Sequence, residues 1–230
     1  MHEEHHHYDD AYIRQRERNI AFWQKLGLRP ELTVIDLLQV SPGDRVLDAG
    51  CGTGSLAIAI ADAGARVIGV DLSADAVERA RAKAGSRGAV RFEVGDLDRW
   101  VPAHRFDKIV CWAVLEHFEV PIATSLVRKF RGWLRPGGLL LIGVPVKDRA
   151  PAKVMLRRVV LGNSGDATHE HQWRSGELEL TLGEADLNLL RSCYFTFAGR
   201  PFPRRIALTG LFDTTLVCWA AALAQREGEG

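Results

Sequence analysis

Three glycines at alternate positions follow an apolar run in Val46-Leu47-Asp48-Ala49-Gly50-Cys51-Gly52-Thr53-Gly54. Without Cβ atoms such a turn bends sharply and lets a ligand lie against the backbone. A helix starting there offers unpaired amides to a carboxylate or phosphate. A dinucleotide fingerprint needs its third glycine three places after the second, where this chain has Ser55, so a nicotinamide reading is weakened. Two acidic residues follow at suggestive intervals. Asp71 ends Val67-Ile68-Gly69-Val70-Asp71, 23 residues after Asp48, the span of one strand, turn and helix, and its carboxylate can accept two hydroxyl hydrogen bonds. Asp96 stands in Gly95-Asp96-Leu97, one strand and helix further on. Imidazoles occur in two polar clusters, His117 in Leu115-Glu116-His117 and His169 and His171 in Thr168-His169-Glu170-His171-Gln172-Trp173. An imidazole exchanges a proton near neutral pH, so all three are candidate bases, and each also reads as a side chain that holds a loop.

The elements that must position these residues alternate regularly. Apolar, β-prone runs at residues 45–50, 66–71, 90–96 and 107–114 are interleaved with helical stretches, the signature of βαβ units and a parallel sheet. A helix from about Pro121 to Leu134 leads to a fifth buried strand at residues 137–145. Ser73 is placed to cap the helix that begins at Ala74. Two helices precede the sheet. The first runs from Asp9 or Asp10 to Gly27 with Ile13, Ile20, Trp23 and Leu26 inward. The second follows Pro30 with Leu32, Ile35, Leu38 and Leu37 inward, and Ser41-Pro42-Gly43-Asp44 closes it. After residue 146 the rhythm breaks into a basic and then polar insertion. A helix from near Ser175, with Leu180, Leu182, Leu187 and Leu190 inward, then leads to two closing strands within residues 193–197 and 214–223.

DAGCGTG at residues 48–54, the acidic ends at Asp71 and Asp96, and the turn Leu134-Arg135-Pro136-Gly137-Gly138 recur in unbroken order over residues 30–145, and there the chain resembles the class I S-adenosylmethionine-dependent methyltransferases. The resemblance implies a Rossmann-like α/β fold, a mostly parallel seven-stranded sheet with helices on both faces. It implies S-adenosylmethionine as cofactor, held by Asp48, Gly50, Cys51, Gly52, Gly54, Asp71, Leu72, Asp96, Leu97 and Cys111. In the family the acidic residue at Asp71 holds the ribose hydroxyls, and the one at Asp96 accepts from the adenine amino group beside an apolar neighbour. After the fourth strand the chain reads Cys111-Trp112-Ala113-Val114, without the Asn or Asp, Pro, Pro, aromatic signature of relatives that methylate nucleic-acid or glutamine amino groups. Leu115-Glu116-His117 instead resembles a segment of small-molecule and quinone-type enzymes. Trp112, Trp173 and Tyr12 are the expected acceptor contacts, and oxygen is the expected accepting atom.

The remaining composition bounds the partners. With 30 basic and 29 acidic side chains in 230 residues the formal charge is +1, which gives no global case for a polyanion. Nucleic acid is therefore disfavoured, the run from Lys153 to Leu161 reads as a lid or packed helix before it reads as a membrane patch, and the partner expected is a small organic acceptor. Four cysteines without a paired spacing suggest neither zinc nor disulfides and fit a reducing cytoplasm. The histidine-rich first ten residues have no shell to orient metal ligands, so no metal is expected. The organisation expected is a helical cap over residues 1–40, a donor-binding core over 41–146, an acceptor-side insertion over 147–173 and the rest of the core over 174–230.

Overall fold

The computed structural model describes residues 30–145, 171–174, 176–196, 201–203 and 217–227, together with residues 13, 14, 17 and 18 of the leading segment. Five strands, β1 (Arg45–Ala49), β2 (Arg66–Asp71), β3 (Val90–Val94), β4 (Phe106–Trp112) and β5 (Leu134–Pro145), pair in parallel. Three more close the sheet antiparallel: β6 (Asn188–Thr196), β7 (Pro201–Pro203) and β8 (Val217–Gln225). The order is β3-β2-β1-β4-β5-β8-β6-β7. The expected seven strands are present, and the three-residue β7 adds an eighth at the edge, so among the described residues the closing strands number three where two were expected. β1 lies between β2 and β4, so the chain reverses direction across the sheet there and a crevice opens at the carboxyl ends of β1 and β4.

Helices α1 (Pro30–Leu38), α2 (Ser55–Asp62) and α3 (Ala74–Ala84) cover one face, and α4 (Val120–Trp133) and α5 (Glu177–Glu184) the other. Side chains along a strand alternate between faces. Val46, Val110 and Leu141 accordingly join the α1–α3 core, while Leu47, Ile109, Leu140 and Ile142 join the α4–α5 core. Between β3 and β4 the chain crosses over residues 95–105 without a helix. Trp100 fills the place of one: its ring stands edge-on to Trp133 with centroids 5.4 Å apart, and its indole donates to Glu93 at 2.9 Å.

Ile13 is buried as expected, whereas Ile20, Trp23 and Leu26 lie outside the described residues. In α1 the inward set is Val34, Leu37 and Leu38, and Leu32 is 51% exposed, because one helical face is defined by the i, i+3, i+4 spacing from residue 34. In α5 the inward set is Leu178, Thr181 and Leu182, which leaves Leu180 on the far side at 70% exposure. Leu187 is buried beyond that helix, and Leu190 is 47% exposed in β6, at the register shift between Leu189 and Arg191 where it has no partner in β8.

Candidate functional site

The glycine bend joins β1 to α2 and docks on the end of β2, where the amides of Gly50 and Cys51 both donate to the Val70 carbonyl, at 2.8 and 3.0 Å. The glycines have different tasks. A Cβ on Gly50, at φ +80°, would stand 2.2 Å from Val114 Cγ2, and one on Gly54 2.7 Å from Phe92 Cζ, so these two allow close packing. A Cβ on Gly52, at φ +50°, would meet nothing within 4 Å, so here the missing side chain leaves an open approach to backbone.

Asp71 lies against that open backbone: its Oδ2 accepts the Gly52 amide at 2.7 Å and its Oδ1 the Ser73 amide at 2.9 Å. Ser73 in turn caps α3 as expected, accepting the Ala76 amide at 3.2 Å. Asp96 is brought alongside by its neighbour, since the Gly95 amide donates to the Asp71 carbonyl at 2.9 Å. Leu72 presents an apolar surface, 42% exposed, at the end of β2, and Leu97 is buried in the α4–α5 core. Asp48 is nearly sealed at 2% exposure, and its Oδ2 has no hydrogen-bond partner among the described residues. Burial first, and the Asp71 charge second, push its carboxyl up to about 7, against the opposing pull of the Ala57 amide. Cys51 and Cys111 are buried thiols pushed well above the usual range by that burial. Cys51 belongs to the bend, but Cys111 has no exposed surface and packs in the α4–α5 core, so it does not open on the crevice in this arrangement.

β4 ends at Trp112, whose ring lies over Gly143 of β5 so closely that a Cβ there would be 2.3 Å from Cε3. The next residue, Ala113, takes a left-handed φ of +60°, a conformation that an alanine adopts only where its surroundings hold it. The chain then makes a 3-10 turn over Leu115–His117 that leaves His117 half-buried. His171 is tied to that turn, its amide donating to the Glu116 carbonyl at 3.1 Å, and its Nε2 lies 2.7 Å from Glu177 Oε1. Trp173, expected to wall the acceptor pocket, is fully buried in the α4–α5 core. Tyr12 and His169 lie outside the described residues, as does the whole run of residues 146–170, which takes in most of the insertion expected over 147–173. Sequence reasoning did not single out Val114, which meets the bend, or Glu177, which meets His171. A valine after a strand carries no signal of its own, while an acidic residue in the first turn of a helix reads as an ordinary helix start.

The residues of the bend suit a donor that carries an ammonium group and an adenosine. A sealed carboxylate oxygen without a partner calls for a hydrogen-bond donor, and the open backbone at Gly52 beside Asp71 admits a ligand. Residues 46–138 match a family described as a methyltransferase domain. The chain is 32% identical over 193 residues to a ubiquinone biosynthesis O-methyltransferase of Paracidovorax citrulli, covering 79% of this chain and 77% of that one. It is 38% identical over 119 residues to phosphoethanolamine N-methyltransferase of Triticum aestivum, but spans only 23% of that longer protein. Among solved structures, the magnesium protoporphyrin IX methyltransferase of Synechocystis PCC 6803 with bound SAH has a TM-score of 0.68 at 20% identity over 96% of both chains, a likeness of fold. The chain belongs to the class I S-adenosylmethionine-dependent methyltransferases. It is an enzyme of methyl transfer, and its cofactor is S-adenosylmethionine.

Proposed function

We propose that this methyltransferase acts on an oxygen atom of a small organic acceptor bound beside the carboxyl ends of β1 and β4. The observation that carries this reading is the match to an O-methyltransferase over more than three quarters of both chains. When bound, S-adenosylmethionine supplies a methyl group made electrophilic by its sulfonium. The chain's part is to align the acceptor with that methyl and to exclude water. Asp48 Oδ2 would accept from the ammonium of the donor. Gly50, Cys51, Gly52 and Gly54 would let it approach the backbone. Asp71 would accept from the ribose hydroxyls, Asp96 from the adenine amino group, and Leu72 and Leu97 would flank the ring. Cys111 would act through packing. Of the candidate bases, His117 and His171 belong to segments joined at the end of β4, and His169 stands two residues from His171. Trp112 and Tyr12 are the remaining acceptor contacts. Trp173 supports them from the core.

Calorimetry with S-adenosylhomocysteine tests the donor half of this reading, and saturable 1:1 binding is expected. Radiolabelled methyl transfer to a panel of phenols, catechols, amines and total RNA tests the acceptor half. Label in phenolic or catecholic oxygen is expected. Label only in amines, or only in RNA, would overturn the assignment to oxygen on a small molecule.

A further inference from the structure

One imidazole at the end of β4 is held from three sides. The His171 amide donates to the Glu116 carbonyl at 3.1 Å, its Nε2 lies 2.7 Å from Glu177 Oε1, and its ring stands edge-on to Trp173 with centroids 5.1 Å apart. Glu177 is fixed as well, because its Oε2 accepts the Arg174 amide at 2.9 Å. That second bond needs only one oxygen of the carboxylate. The other oxygen is turned toward the imidazole.

The consequence is a defined tautomer. An ionised carboxylate has only acceptor sites, so the ring nitrogen that faces it carries the hydrogen. In a neutral imidazole the lone pair then lies on Nδ1, which has no hydrogen-bond partner among the described residues. The side chains of His171 and Glu177 are 23% and 27% exposed, so the pair is not sealed in the core. Its place in the fold is set by the 3-10 turn. Val114, just before that turn, packs on Gly50 of the bend. His171 is therefore hydrogen-bonded to the turn whose preceding residue meets the donor bend.

We propose that Glu177 is a positioning residue that keeps His171 Nδ1 unprotonated, and that this nitrogen takes the proton of the acceptor hydroxyl. The proposal rests on the oxygen-acceptor reading above. In the step, the acceptor O–H bond breaks and its proton goes to Nδ1. An oxygen electron pair forms the new O–CH3 bond, and the bond from methyl to sulfur breaks with its pair remaining on sulfur. The products are a methyl ether and neutral S-adenosylhomocysteine. The imidazolium is paired with the Glu177 carboxylate until it loses its proton to water.

Glu177→Gln separates this role from a structural one. The Arg174 amide still requires an acceptor, so the glutamine oxygen stays there and its NH2 group faces His171 Nε2, which moves the ring hydrogen to Nδ1. The experiment is nitrogen-15 NMR of histidine-labelled enzyme, with the His171 signals assigned from His171→Gln, alongside turnover with 3,4-dihydroxybenzoate as probe acceptor. The wild type is expected to carry its hydrogen on Nε2 and Glu177→Gln on Nδ1. In that variant kcat should fall about a hundredfold while KM, S-adenosylhomocysteine affinity and the unfolding midpoint stay close to wild type. A wild-type ring protonated on Nδ1, or a Glu177→Gln enzyme with the wild-type kcat, would overturn the proposal. Wild type that binds no S-adenosylhomocysteine, or that methylates amines and never the probe, fails the broader reading instead, and the proposal falls with it.

Discussion

Asp48 is a carboxyl that the fold holds at a cost, since its value is pushed up to about 7 by burial and by Asp71. The folded chain thus keeps this proton over an interval in which the unfolded chain has already lost it. The contribution of Asp48 to stability is fully present below about pH 4 and is lost as pH rises toward about 7, a swing of a few kcal/mol. Asp48→Asn has no such proton. The unfolding free energy of the variant, measured by urea titration, should therefore gain on that of the wild type across the interval, and a constant difference would contradict the assignment. The bend offers a second contrast. Gly50→Ala drives a methyl into Val114 at a positive φ and should lower the unfolding free energy by about 3 kcal/mol. Gly52→Ala meets only open space and strains the backbone by about 1 kcal/mol, so it should fold and yet bind S-adenosylhomocysteine at least tenfold more weakly in calorimetry. Gly50 and Gly52 were legible as a pair in the string, but their separate tasks were not, because Val114 lies 64 residues from Gly50.

The five parallel strands were legible because each contains a short apolar run flanked by turn residues, and local pattern suffices for that, although β5 begins at Leu134, inside the expected turn. What escaped was whatever depends on a partner far along the chain. The three-strand closure is an example, since β8 inserts between β5 and β6 by pairing with residues about thirty and eighty positions away, and no local period encodes that. Trp100 replacing a helix between β3 and β4 is another. Arg226 holds the closure in place. It is 4% exposed, its Nη1 donates to the Leu134 carbonyl at 2.7 Å and to the Arg131 carbonyl at 3.3 Å, and its backbone pairs with Gly137 and Gly138. Arg226→Ala should lower the unfolding free energy by about 2–3 kcal/mol, because buried carbonyls at the start of β5 lose a charged donor. Hydrogen exchange should localise the loss to β5 and β8. A loss spread evenly over β1 to β3 would show that the arginine does not pin this edge.

At the scale of the whole molecule, the cost held at Asp48 and the open backbone at Gly52 belong to one linkage. S-adenosylhomocysteine carries an ammonium, and placing it at Asp48 favours the ionised carboxylate that the empty fold disfavours. Binding must then release a proton wherever free Asp48 is protonated. Affinity should rise with pH up to about 7, as the free Asp48 carboxyl loses its proton. At a ligand concentration a hundred times Kd the folded state gains about 2.7 kcal/mol, so the same curve should appear in the thermal midpoint. Calorimetry in two buffers of different ionisation enthalpy reads the proton directly: near pH 6 the wild type should release a substantial fraction of one, and Asp48→Asn should release none from this position. An affinity that is flat between pH 5 and about 7, with no proton released, would mean that the ammonium lies elsewhere. The unpartnered oxygen would then be only a fault in the core, and the bend would have to hold its ligand by backbone and Asp71 alone.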